Sequence, residues 1–309
     1  MRVVFVASGN KSVGTVSAFV SSQFRSLQHE GLEMELFPIC GHGWKAYAKG
    51  IVALRKKVKE LHPEIVHAHY SVCGVVAALA TCGLKTKVVV SILGSFPRDS
   101  FKLHWVRFFI RHIWDATLTK SKRTADQLGM ELPAVPNGVD LNQFSLMDYR
   151  DARKAVGFEE NKKYVIWCSH PMRSEKRYPL AEKSVQKLND GNVVLYPVYD
   201  KPHDDVVRYM CAADVLLLTS YCEGSPNVIK EAMACNCPIV STDVGDVRWV
   251  TEGVDGTYVS GKDDPEMLAG CLKKALVFNK RTDGRNRILS VGLTTDATAR
   301  KIISIYESL

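Results

Sequence analysis

Two glutamates, Glu223 and Glu231, stand on either side of Ser225-Pro226 in the run Glu-Gly-Ser-Pro-Asn-Val-Ile-Lys-Glu. Serine followed by proline reads as a helix start, since the hydroxyl can cap and proline is tolerated at the first helical position, where its missing N–H is not needed. The N–H groups of Asn227, Val228 and Ile229 would then point outward at the positive end of the helix dipole, and a phosphate suits that position. Carboxylates beside a phosphate site are reasonable when they accept hydrogen bonds from hydroxyls of the same ligand. A diphosphate joined to a ribose and a second sugar meets both needs. The competing reading is that the glutamates only favour the first turn of a surface helix electrostatically.

These groups need a scaffold, and residues 214–250 supply its plan: a strand DVLLLTS, a loop, a helix SPNVIKEAMA and a strand CPIVSTDVGDV. The unbroken apolar run 215–218 suits a parallel strand covered on both faces, and doubly wound sheets bind ligands at the carboxyl ends of such strands. Another strand, 164–169 (YVIWCS), precedes a loop carrying Arg173, Lys176 and Arg177. That loop offers positive charge to a departing diphosphate, or is simply a solvated basic loop.

In the first half, strand 2–8 leads into a loop bounded by Gly9 and Gly14, which allow a ligand close to backbone but match no G-x-G-x-x-G or P-loop spacing. Strand 63–68 ends in His-Ala-His-Tyr. His67 and His69 are expected on opposite faces, against a shared metal, and His69 is the candidate for touching a sugar; a packed core histidine is the alternative. Strand 87–93 runs into Gly94-Ser95. Residues 101–114 interleave Trp105, Phe108, Phe109 and Trp114 with Lys102, Arg107 and Arg111, which suits a core helix with snorkelling arginines or a helix in a membrane interface.

The 309 residues imply two domains, and 46% apolar with 24% charged residues is a globular composition. No membrane-length apolar window and no signal-peptide architecture follow Met1, so a cytoplasmic location is expected. Nine scattered cysteines without a C-x-x-C pair read as buried small hydrophobes in a reducing compartment. Residues 1–142 hold 18 Lys+Arg against 10 Asp+Glu, leaving 23 against 23 of the totals 41 and 33 for the rest. The basic half is expected to face something anionic: a membrane surface, a lipid-phosphate acceptor or nucleic acid.

E-G-S-P-N-V-I-K-E followed by A-M-A-C-N-C-P-I-V-S-T-D-V-G-D-V resembles the E-x7-E signature of the retaining glycosyltransferases of family 4, specifically over about 210–250 and loosely over the whole chain. The resemblance implies an α/β GT-B fold of two Rossmann-like doubly wound domains facing across a cleft. It assigns 1–142 to the acceptor side, with helix 297–309 packing back on it, and 143–296 to the nucleotide sugar. By it, Glu223 meets the transferred sugar, Glu231 the ribose, and Lys176 the phosphates, joined by Ser225, Asn227 and Val228. Arg173 is carried over too, although the family's arginine more often lies two residues earlier, where this chain has Pro171. Gly14 and Gly94 would line the cleft. The family places a histidine where this chain has Leu93, which leaves His69 and the Gly94-Ser95 backbone to share its task.

The implied activity is a metal-independent, retaining hexosyltransferase in cell-surface polysaccharide synthesis. The donor is a nucleotide-diphosphate sugar, with no cofactor, and the acceptor a glycan or lipid-linked intermediate. Its expected setting is cytoplasmic, peripheral at the inner membrane face, without a nucleic-acid partner. No Asp-x-Asp occurs in the chain, which argues against the metal-dependent glycosyltransferases of the other major fold. A nucleotide-sugar epimerase or hydrolase of the same fold, and a non-catalytic binder of anionic polymer, are the alternatives.

Overall fold

The computed structural model describes the chain apart from residues 10–13, 42 and 94–100, with the side chains of Phe101 and His203 also set aside. Two compact units result: Met1–Asn137 with Thr295–Leu309, and Gly138–Thr294. The chain changes unit inside the Pro136–Asp140 turn rather than at 142–143. Val139 N–H already donates to Leu293 O at 2.9 Å, and Phe144 is buried in the second unit's core.

The first unit runs β1 (Arg2–Ser8), α1 (Ala18–His29), β2 (Glu33–Ile39), α2 (Gly43–Leu61), β3 (Ile65–His69), α3 (Ser71–Thr81), β4 (Lys87–Ile92), α4 (Phe101–His112), β5 (Ala116–Thr119) and α5 (Lys122–Leu128). Its five strands are parallel in the order β2-β1-β3-β4-β5. Both faces are apolar because helices cover both. Val4, Val6, Val66 and Val90 pack under α2, α3 and α4, while Val3, Phe5, Ile65 and Val89 face α1. Beyond β5, Ala134 adds only a bridge to Thr119.

The second unit runs α6 (Tyr149–Val156), β6 (Lys163–Cys168), a 3-10 turn (Ser174–Lys176), α7 (Tyr178–Gln186), β7 (Val193–Val198), α8 (His203–Ala212), β8 (Val215–Leu218), α9 (Asn227–Ala234), β9 (Ile239–Thr242), α10 (Val247–Val250), β10 (Thr257–Ser260), α11 (Pro265–Phe278) and α12 (Gly284–Ser290). Its sheet, also parallel, has the order β10-β9-β8-β6-β7. The strand expected to continue to Val247 stops at Thr242, where the chain turns through Gly245 at φ +56° and enters α10. The chain winds one way from β6 to β7 and the other way from β8 to β9 and β10, so the switch point at which such sheets open a crevice lies between β6 and β8.

A last helix, α13 (Thr295–Glu307), returns to the first unit. Ala299, Ile302 and Tyr306 are buried in the cluster that holds Phe5 and Leu27. Arg300 pairs with Glu30 at 2.9 Å and Lys301 donates to Ala134 O at 3.0 Å.

Candidate active site

At the carboxyl end of the second sheet, side chains stitch three strands together. Arg177 donates to Thr219 O (2.8 Å) and Ser220 O (3.1 Å), Trp167 Nε1 to Thr219 Oγ1 (2.9 Å), and Thr242 Oγ1 to Ser220 O (2.8 Å). Arg177 therefore faces inward and fixes the loop after β8, instead of offering charge to a ligand. Beneath that loop Gly245 packs so closely that a Cβ there would stand 2.5 Å from Gly224 O. Only glycine fits both that contact and the left-handed backbone.

On this bed Lys176 and Glu223 meet. The ammonium bonds Glu223 Oε1, which also accepts from Ser220 Oγ at 2.8 Å, and the two side chains are 17% and 18% exposed. A charged pair this sheltered and still open to solvent can re-pair with a ligand: the ammonium with a phosphate, the carboxylate with sugar hydroxyls. Arg173 is elsewhere. It pairs with Glu175 at 2.6 Å on the half-exposed side of the 3-10 turn, so the structure does not bring it to Glu223.

The helix start differs from expectation in two respects. Pro226 is the cap residue with extended backbone, and Ser225 does not cap, because its Oγ accepts from Lys230 Nζ at 2.9 Å. Ile229 N–H turns back on Pro226 O at 3.3 Å, so the amide expected there for an anion is already engaged. Asn227 and Val228, half-buried, occupy the first turn.

Glu231 lies one turn in, half-buried, and its carboxylate accepts no hydrogen bond among the described residues. Burial pushes its carboxyl up to about 7, against the opposing pull of Lys230. Lys230 is only 1% exposed, and burial pulls its ammonium down to about 8 while Asp246 and Glu231 hold it up. Asp246, in the loop after β9, is 9% exposed with neither oxygen in a hydrogen bond of ordinary geometry; it faces Ser225 and Lys230, and burial raises its carboxyl. Lys230 and Asp246 escaped the reading of the sequence. The available signal was a lysine adjoining Glu231 on a helix whose next turn is apolar.

Beside the Lys176–Glu223 pair, Cys168, Ser169, Lys176, Ser220 and Val228 line a cavity of about 10 Å³, the room of one water. Ser169 Oγ, just past β6, is buried there without a hydrogen-bond partner among the described residues. Among the described residues no group of three or more His, Cys, Asp or Glu stands close enough to hold a metal ion.

In the first unit His69 is fully buried, its Nε2 on Gln23 at 2.8 Å and its ring 4.7 Å from those of Phe5 and His67. It is a core histidine and does not reach a sugar. Nor do His67 and His69 point apart: two residues along a strand of period two share a face, and their rings stack. Gly14 is exposed at φ +86°, closing its loop by donating to Gly9 O at 3.1 Å. Gly94 lies outside the described residues. A cavity of about 390 Å³ opens at the carboxyl ends of β1, β3 and β4, lined by Tyr47, Tyr70, Ser71, Leu93 and Lys102. Tyr70 holds a left-handed backbone there (φ 75°), a strain that cavity walls of this kind often carry.

The model of glycosyl transferases group 1 matches residues 151–277, and that of Glycosyltransferase Family 4 matches residues 15–143. TuaC of Bacillus subtilis, whose name assigns it as a glycosyltransferase to teichuronic acid biosynthesis, is 26% identical over 226 residues, 62% of this chain. The chain spans 56% of that relative's length. Sucrose-phosphate synthase from Thermosynechococcus elongatus superposes with a TM-score of 0.80 at 16% identity, over 99% of this chain and 98% of that one. HepE of Anabaena, solved in complex with UDP, does so with 0.77 at 16% identity over the whole of both chains.

Proposed function

We propose that this chain is a glycosyltransferase of the GT-B type that moves a hexose from a nucleotide-diphosphate sugar to a glycan or lipid-linked acceptor with retention of configuration. The observation that carries this reading is the Lys176–Glu223 pair set in front of the α9 start, with the carboxylate of Glu231, which accepts no hydrogen bond among the described residues, one turn behind it. Lys176 neutralises charge as the sugar–phosphate bond lengthens, and the first-turn amides take a share of the same load. Glu223 orients the transferred sugar through its hydroxyls, and Glu231 holds the ribose.

The acceptor oxygen attacks on the face from which the diphosphate leaves, and a leaving phosphate oxygen takes the acceptor proton. No side chain then forms a bond to the sugar. The relatedness to a glycosyltransferase named for teichuronic acid biosynthesis supports a role in surface polysaccharide synthesis, with the acceptor held by the basic first unit on the cytoplasmic side of a membrane.

A thermal-shift panel of uridine, guanosine and adenosine diphosphate sugars tests the donor, since a ligand that binds only the folded chain raises its midpoint. One nucleotide series is expected to stabilise the wild type and to lose most of that effect in Glu231→Ala. No shift from any of them would overturn the reading. Sugar release or epimer formation without acceptor would replace it with a hydrolase or epimerase.

A further inference from the structure

The outer helix layer of the first unit is charged with one sign. α2 carries six Lys or Arg against a single Glu, α3 carries no charge, and α4 carries three Lys or Arg with no acid. The three helices cover one face of the sheet, since Leu54, Val76 and Val106 share a single core cluster. Some of the charge is used internally: Lys57 pairs with Glu35, Arg55 donates to Ala80 O and Cys82 O, and Arg107 donates to Leu128 O. Lys45, Lys49, Lys56, Lys59 and Arg111 remain on the outside.

The same surface exposes apolar side chains that an ordinary solvated helix would not spend there. Trp44 is 75% and Val52 72% exposed, about two turns apart along α2 and about 80° apart around it; Leu79 on α3 is 51% and Phe108 on α4 54% exposed. Lysines flanking an exposed tryptophan, with aliphatic side chains further in, match the layered polarity of a bilayer surface: anionic headgroups outside, acyl chains beneath. A nucleic acid would satisfy the cations and leave Val52, Leu79 and Phe108 in water. A protein partner would ask for a defined acidic patch, which this chain does not specify.

We propose that the α2–α3–α4 layer docks on an anionic lipid bilayer, with Trp44 and Val52 entering the interface and Lys45, Lys49 and Lys56 reading the headgroup charge. This deepens the reading of a membrane-side acceptor, and it is tested without donor or acceptor, so the two can fail separately.

The experiment is co-sedimentation of the full chain with vesicles of phosphatidylcholine, with and without about one third phosphatidylglycerol. The wild type is expected to bind the anionic vesicles, to release them as salt rises, and to ignore pure phosphatidylcholine. Lys45→Glu/Lys49→Glu should lower the bound fraction roughly tenfold or more, and Trp44→Ser/Val52→Ser roughly fivefold. These positions are exposed, so the variants should keep the wild-type circular dichroism and melting midpoint. Binding by both variants equal to wild type would overturn the assignment of this face. Absence of binding to anionic vesicles would overturn the proposal, as would salt-sensitive binding to duplex DNA in its place.

Discussion

Lys230 Nζ donates to Ser225 Oγ at 2.9 Å from a position 1% exposed, and Asp246 is the buried carboxylate that answers its charge from the next loop. The two charges face each other between the α9 start and the turn after β9, under the segment that carries Glu223. Taking one partner away leaves the other charged and dry, which costs about 3–5 kcal/mol. Lys230→Met should therefore destabilise the chain by about that much, and Lys230→Met/Asp246→Asn should recover most of it. Guanidinium unfolding of the two variants measures both. A double variant no more stable than the single one would mean that the charges do not compensate each other.

Lys176→Gln and Glu223→Gln should separate in their effects. Lys176 neutralises charge that grows during departure of the diphosphate, so its loss should lower kcat about 100-fold and weaken diphosphate binding too. Glu223 reads the sugar, so its loss should spare the affinity for the free nucleoside diphosphate while weakening that for the nucleotide sugar. Calorimetric titration with both ligands checks this. Equal losses for the two ligands in Glu223→Gln would place its carboxylate away from the sugar.

Much of this site could be read from the sequence because its parts are local. The unbroken apolar run Val215–Leu218 announces a strand covered on both sides, and the Pro226 break fixes a helix start at its end. What could not be read depends on residues far along the chain. Whether Ser225 caps or accepts from Lys230 is decided by the closeness of Asp246, which no local spacing reveals. The basic loop looks uniform in sequence, yet Arg177 is drawn in by the carbonyls of Thr219 and Ser220, and Arg173 is drawn out by Glu175. His67 and His69 were legible in principle, since strand periodicity puts them on one face, and the ring stack shows that it does.

Glu231 gives a pH signature. Its carboxyl is raised to about 7, so the folded chain favours the neutral form: the associated stability is present below the ordinary carboxyl range and is lost as pH rises through 7. Glu231→Gln should accordingly be more stable than wild type at pH 8, by about 1–2 kcal/mol given its half-burial, and near equal at pH 5. Ribose hydroxyls donate best to the ionised form, so nucleoside diphosphate affinity should strengthen between pH 6 and 8 in the wild type. Flat affinity in the wild type over that range, or the same rise in Glu231→Gln, would remove Glu231 from the ribose.

Gly245→Ala tests whether the loop over which Glu223 sits is held from below. An added methyl would meet Gly224 O at 2.5 Å and Glu223 O at 3.1 Å in a left-handed backbone, so strain and clash act together. A loss of about 2–4 kcal/mol is expected, with a fall in nucleotide-sugar affinity as Glu223 shifts. A variant as stable as wild type would show that the two loops part without penalty.

The buried histidines predict how the first unit responds to acid. Burial, with Lys120 nearby, lowers His67 to about 3, and burial with His67 and Lys120 lowers His69 well below its ordinary value. A depressed histidine contributes stability that is full above its ordinary value near 6.5 and is lost as pH falls below it. His67 should therefore withdraw about 2 kcal/mol between pH 7 and pH 5, and His69 should add to the loss in the same direction. Replacing His69 and its partner Gln23 together, as Gln23→Leu/His69→Leu, removes one such group without stranding the other. The double variant should lose less stability than wild type over that interval in urea unfolding, with nucleoside diphosphate affinity at pH 7 unaltered. Wild-type stability that is level from pH 7 to pH 5 would mean that both rings find room to protonate inside the folded chain.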